Sequence, residues 1–215
     1  WAACCSGPGA PAQVCAVGNN GTVAMTSADS GATWTQRTCI NGDWRAIAWN
    51  GTTYVAVGNN GTTCITSTDG IAWVSRTITS GNWSSVAWNG TTFVAVSDTD
   101  GTTCCTSTDG ATWTSRTIAS GRWKSVVANG TTFCAVGTAS DGGATTSACT
   151  STDGASWTSQ TITNGIWSAV AANGTIFVAV GATTYLATTC ACSSPTGVTW
   201  TARTGVAMGA AGTML

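Results

Sequence analysis

Apolar and polar positions alternate in short runs along this chain, and residues 83–122 show the pattern in full. Trp83-Ser-Ser-Val-Ala-Trp88 alternates with a period of two, which predicts a half-buried strand. Asn89-Gly90 follows, a strong two-residue hairpin signal that predicts a type I′ turn with positive φ at both residues. Thr91-Thr-Phe-Val-Ala-Val96 is a second strand, rich in β-branched and aromatic residues. The loop Ser97-Asp-Thr-Asp-Gly101 separates it from a third strand, Thr102–Thr106. Ser107-Thr-Asp-Gly110 is a tight turn into a fourth, Trp113–Ile118.

The same unit recurs along the chain with a period of about 40 residues. Trp1, Trp44, Trp83, Trp123 and Trp167 open the units, and Trp34, Trp73, Trp113, Trp157 and Trp200 open their last strands. Trp49 and Trp88 share one further position before Asn-Gly. The units fall at about 1–43, 44–82, 83–122, 123–166 and 167–204, followed by a tail, 205–215, that matches no repeat. The tail is apolar. It reads as a protein contact or as an added strand that closes the ring. Four short antiparallel strands per unit, repeated radially, predict an all-β, five-bladed β-propeller of four-stranded antiparallel blades. Closing such a ring requires the fifth unit to pack on the first. The first is irregular, because Cys4-Cys-Ser-Gly-Pro-Gly-Ala-Pro11 replaces its Asn-Gly turn.

The turn before each last strand resembles the Asp-box, or BNR, repeat, Ser-x-Asp-x-Gly-x-Thr-Trp. Ser27-Ala-Asp29-Ser-Gly31-Ala-Thr33-Trp34 matches in full. The turns at Asp69, Asp109 and Asp153 are one residue shorter, and the fifth has Thr196 in place of Asp. The resemblance implies Asp-box turns at the periphery of propeller blades, with Asp29, Asp69, Asp109 and Asp153 structural. The local chemistry agrees: a carboxylate accepts backbone N–H bonds, glycine takes the left-handed position and tryptophan anchors the strand.

Sialidases are the best-known Asp-box enzymes, and the resemblance implies three arginines, a Tyr–Glu pair and an Asp acid/base for that activity. The chain has no Glu and no His, and all eight acids are Asp. Tyr54 occupies a repeat position otherwise filled by Phe93, Phe133 and Phe177, so it reads as core. The other tyrosine is Tyr185. Arg37, Arg76, Arg116 and Arg203 share a position on the last strand of the unit, where charge deters edge pairing. Without histidine there is no Ser-His or Cys-His nucleophile system. No catalytic residue is assigned, and the chain reads as a non-enzyme.

Composition narrows the partners. Charged residues make up 7% and the net charge is -1, so no basic patch attracts nucleic acid. No apolar run approaches the roughly 18 residues of a membrane span, so no membrane insertion is expected. The eleven cysteines point to an oxidising setting with disulfides, and the odd count leaves one unpaired within the chain. The vicinal pairs Cys4-Cys5 and Cys104-Cys105 would face opposite ways along a strand and reach different partners. Zinc-type spacing is missing, so no metal and no cofactor are expected. Asp98-x-Asp100-Gly101 has the spacing of a calcium-loop fragment, but few carboxylates accompany it. Seven sequons, six of them Asn-Gly-Thr, follow from turn chemistry.

Binding would use the face that carries the variable loops and the unit-to-unit connections. The candidate ligand residues are Asn59, Asn82, Asp98, Asp100, Arg122 and Asp141, with Trp44, Trp83, Trp123 and Trp167 either stacking on sugars or packing between units. The use of Thr, Ser, Gly, Ala and Asn in near-identical repeats resembles that of propellers in phage tail fibres and other virion appendages. That resemblance implies a structural or adhesion module in an extracellular or virion-surface location. Its partners would be other structural proteins of a larger assembly and a cell-surface glycan. A secreted glycan-binding lectin is the alternative, and a sialidase-like hydrolase the third reading.

Overall fold

A computed structural model describes residues 3–6, 13–99, 101–182 and 191–203. Asp100, Tyr185, Cys190, the tail 205–215 and the side chains of Trp1, Cys4 and Cys5 lie outside the described residues. All described secondary structure is β, and every strand pairs antiparallel with its sequence neighbour. β1 (Ala3–Ser6), β2 (Val14–Val17), β3 (Gly21–Ser27) and β4 (Thr35–Gly42) form one four-stranded sheet. β5 (Trp44–Trp49), β6 (Tyr54–Gly58), β7 (Thr63–Ser67) and β8 (Val74–Thr77) form another.

The remaining strands form one ten-stranded sheet where separate four-stranded sheets were expected. It contains β9 (Trp83–Trp88), β10 (Phe93–Ser97), β11 (Gly101–Ser107), β12 (Thr114–Asn129) and β13 (Thr132–Thr138). It continues with β14 (Thr145–Ser151), β15 (Thr158–Ala172), β16 (Phe177–Ala182), β17 (Ala191–Ser194) and β18 (Thr201–Arg203). The cause is local. In β12 and β15 the connection between units stays extended, held by the pairs Gly101↔Gly121 and Thr145↔Gly165. One half of each long strand is then the outer strand of one unit, and the other half is the inner strand of the next.

Two turns recur on one face. In the first, Asn50 and Asn89 accept the N–H groups two and three residues on, at 2.8–3.1 Å. Only the glycine takes positive φ, at Gly51, Gly90, Gly130 and Gly174. The expected type I′ turn is therefore replaced by one that the asparagine side chain closes. In the second, the serine hydroxyl and the aspartate carboxylate divide the work. Ser107 Oγ accepts Gly110 N–H at 2.8 Å, and Asp109 Oδ1 accepts Ala111 and Thr112 N–H at 2.8 Å. Hydrogen bonds from Ser27 and Thr33 hold the Asp29 carboxyl down at about 2. Backbone N–H groups lower Asp69, Asp109 and Asp153 in the same way. Asn89 Nδ2 ties the two turns of the next unit together, donating to Thr131 O and Thr152 O.

The core lies in the seams between units. Four apolar clusters each join two consecutive units, and each holds one of Trp44, Trp83, Trp123 and Trp167. Trp73, Trp113, Trp157 and Trp200 pack on the preceding unit from the turn side. Trp49 and Trp88 lie against the aromatic of their own unit, with centroids 4.2 Å from Tyr54 and 4.6 Å from Phe93. Inner strands pack in series, β1 on β5, β5 on β9, β9 on β12 and β12 on β15. Among the described residues no comparable contact joins β15 to β1.

Each seam also holds two buried cysteines: Cys15 with Cys39, Cys64 with Cys105, Cys104 with Cys149, and Cys134 with Cys192. All eight are free thiols, which corrects the expected disulfide frame for these positions. They fill the seams as small apolar side chains. Cys104 and Cys105 do face opposite ways, into different seams. Burial pushes Cys15, Cys64, Cys104 and Cys134 up to about 12. Thiol reagents act on the thiolate. At pH 8 these eight positions are therefore expected to stay unlabelled in the folded protein and to label fully in guanidinium. Peptide mapping after alkylation measures this, and rapid labelling of the folded protein at Cys64 or Cys104 would contradict the dry seam.

Candidate functional site

The face opposite the two recurrent turns carries a belt of charged and amide side chains. It starts at the connections that lead into the inner strands. Asp43 donates its N–H to Asn60 Oδ1 at 2.7 Å, and its carbonyl accepts Asn59 N–H at 3.0 Å. Arg45 reaches back to Asp43 Oδ2 with Nε and Nη2, at 3.2 and 3.0 Å. Its Nη1 reaches the connection into the third unit and donates to Asn82 Oδ1 at 2.9 Å. Asn82 O accepts Asp98 N–H at 2.9 Å and the Ser97 hydroxyl at 3.1 Å. Arg122, at the end of the third unit, donates from Nε to Asp98 Oδ1 at 3.1 Å, and Lys124 Nζ from the fourth lies 2.6 Å from the same carboxylate.

Of the seven cations in the chain, four sit on outer strands. Those guanidiniums fold back onto hydroxyls of the third strand, as Arg76 Nε does on Thr66 Oγ1 at 3.1 Å and Arg116 Nε on Thr106 Oγ1 at 3.1 Å. The other three, Arg45, Arg122 and Lys124, all belong to the belt. Its carboxylates point inward and its cations outward: Asp43 and Asp98 side chains are 14% exposed, against 32% for Arg45 and 36% for Arg122. Asp43 Oδ1 is buried and accepts no hydrogen bond. The belt thus offers outward N–H donors to an acidic or hydroxyl-rich group.

The sequence-derived candidates divide. Asn82, Asp98 and Arg122 meet in the belt. Asn59 is exposed at its edge. Asp141 is exposed on the loop beside Arg122, with Oδ1 accepting Gly143 N–H at 2.8 Å. Asp100 lies outside the described residues. Asp98 is occupied by two cations, which leaves it poorly placed as a calcium ligand. Trp44 and Trp83 are fully buried, and Trp123 and Trp167 are 3% and 2% exposed. Each indole N–H is spent on a carbonyl four residues back, Ile40, Thr79, Ala119 and Thr163 in turn. No ring face is open to a sugar, so these four are corrected to seam residues.

Arg45 and Lys124 were not singled out in the sequence. Their signal was a departure from the repeat: the position after the opening Trp holds Ser84 and Ser168 in other units. Two clefts lie near this face. One, of about 90 Å³, is lined by Ser80, Gly81, Trp83, Ser97, Thr99, Gly101 and Thr103. It has room for a few waters, not a sugar ring. The other, about 300 Å³, is lined among the described residues by the first variable loop, Gly18–Gly21, and Val23.

No protein-family model matches the chain, and no curated protein matches it. Solved structures share its fold. One is YCF48 bound to D1 peptide, at TM-score 0.62 and 16% identity, covering 93% of this chain and 68% of that one. A catalytically inactive histidine-to-alanine form of virginiamycin B lyase from Staphylococcus aureus, with quinupristin, aligns at TM-score 0.71 and 14% identity, covering 92% and 68%. A GH74 enzyme from Niastella koreensis aligns at 0.60 and 23%, covering 88% and 29%. The chain therefore has a β-propeller-like fold.

Proposed function

We propose that the chain is a non-enzymatic structural and adhesion module, built of five propeller blades with Asp-box turns. It serves attachment or assembly on the outside of a larger particle such as a virion appendage, with structural proteins of that particle as its partners. One observation carries this reading: every charged side chain among the described residues already has a structural partner. Asp29, Asp69, Asp109 and Asp153 close turns. Arg37, Arg76, Arg116 and Arg203 brace outer strands. Asp43, Arg45, Asp98, Arg122 and Lys124 form the belt, and Asp141 closes its own loop.

Such a surface suits recognition by display: among the described residues each acid and each cation is engaged in the fold, although Asp43 Oδ1, buried beside Arg45, accepts no hydrogen bond. The likeness to virginiamycin B lyase is one of fold; the form of that protein lacking its histidine is catalytically inactive, and this chain has no histidine with which to repeat that chemistry. A structure of similar fold that holds a peptide supports binding as a use of this architecture. The lectin alternative loses its four tryptophan platforms and keeps only the belt's donors for a cell-surface glycan. Immunogold electron microscopy of material from the source tests the reading. Gold on a regular particle or filament is the expected result, and label confined to free protein would sink it.

A further inference from the structure

The four internal seams define what each face of a unit is made to touch, and the two outermost faces lack that partner. Cys15, Val55, Val94 and Cys134 occupy one position of the second strand and are fully buried, whereas Val178 at the same position is 36% exposed. Two residues on, Val17, Val57, Val96 and Val136 are fully buried, and Val180 is half-buried. The opposite face repeats the contrast. Ile65, Cys105, Cys149 and Cys192 are fully buried on the third strand, and Met25 at that register is half-exposed. Trp34 is 40% exposed and joins no cluster, unlike its four counterparts.

The seams also show how the joint is made. The turn glycine of one unit sits on the second strand of the unit before it. A Cβ on Gly110 or Gly154 would lie 2.4 Å from Val55 or Val94 Cγ2. Gly31, the equivalent in the first unit, meets only its own Trp34, at 3.7 Å. We propose that both outermost faces are covered by further four-stranded repeats of the same polypeptide, one seating its turn glycine on Val178 and another packing an apolar second strand on Met25 and Trp34. Five units span 68% of the YCF48 and virginiamycin B lyase chains, which leaves space for about two more in a ring of that curvature. A second copy of five units does not fit that gap. The inference rests on the seams alone and not on attachment to a particle.

Intact mass of the protein isolated from its source, with peroxide oxidation of Met25, tests it. The expected mass exceeds the 21.5 kDa of this chain by roughly 8 kDa, about two repeats of 40 residues. Met25 is expected to resist peroxide in that protein and to oxidise readily in the 215-residue chain. A mass of 21.5 kDa overturns the proposal, whether Met25 is oxidised, leaving the faces open, or protected, placing a separate chain on them. A heavier protein with readily oxidised Met25 overturns it as well. Neither measurement depends on the immunogold result.

Discussion

Trp83→Ala is expected to cost about 3–5 kcal/mol of unfolding free energy, the usual penalty for emptying a large buried aromatic site. Trp83 is fully buried between the second and third units, and its N–H donates to Thr79 O at 3.0 Å. Alanine removes the apolar surface, leaves a cavity that stiff sheets close poorly, and strands the carbonyl of Thr79. Typical domains are stable by about 5–15 kcal/mol, so the variant would sit near the edge of folding at ambient temperature. Urea unfolding followed by circular dichroism measures the loss. Trp83→Phe is expected to keep part of the packing and lose less. A loss below about 1 kcal/mol for the alanine variant would mean that the indole does not hold the seam.

A second test separates backbone conformation from contact between units. Gly90 and Gly110 both take positive φ, at +102° and +74°. A Cβ on Gly90 meets nothing within 4 Å, whereas one on Gly110 would lie 2.4 Å from Val55 Cγ2. Gly90→Ala is therefore expected to cost about 1–2 kcal/mol, the left-handed penalty alone. Gly110→Ala adds overpacking of the seam, for a total of about 2–4 kcal/mol. Trimming the opposing residue in Gly110→Ala/Val55→Ala should return part of the loss, because the two sites are in direct contact. Equal costs at Gly90 and Gly110 would refute the wedge of the turn against the preceding unit.

Strands, turns and the structural role of the four aspartates were legible because each is a local event repeated several times. A position that recurs as Phe93, Phe133 and Phe177 announces burial, and Tyr54 followed it to 1% exposure. The repeat could not announce partners across a seam. Asp98 meets Arg122 and Lys124 only because two inner strands lie side by side, and those cations break the repeat pattern instead of forming part of it. Asn-Gly was read as a backbone turn, while the asparagine side chain closes it, since dipeptide identity does not say where the carboxamide points. The fusion of β9 to β18 into one sheet depends on whether a short connection stays extended. Ala119-Ser-Gly-Arg122 and Thr79-Ser-Gly-Asn82 are almost the same sequence with different outcomes.

The cysteines carry a last consequence. A thiol packed in a dry seam and kept protonated by burial behaves as a small aliphatic side chain that happens to contain sulfur. Among the described residues the fold uses no cross-link, so its seams close with the sulfurs reduced, and a reductant is expected to leave its unfolding midpoint unchanged.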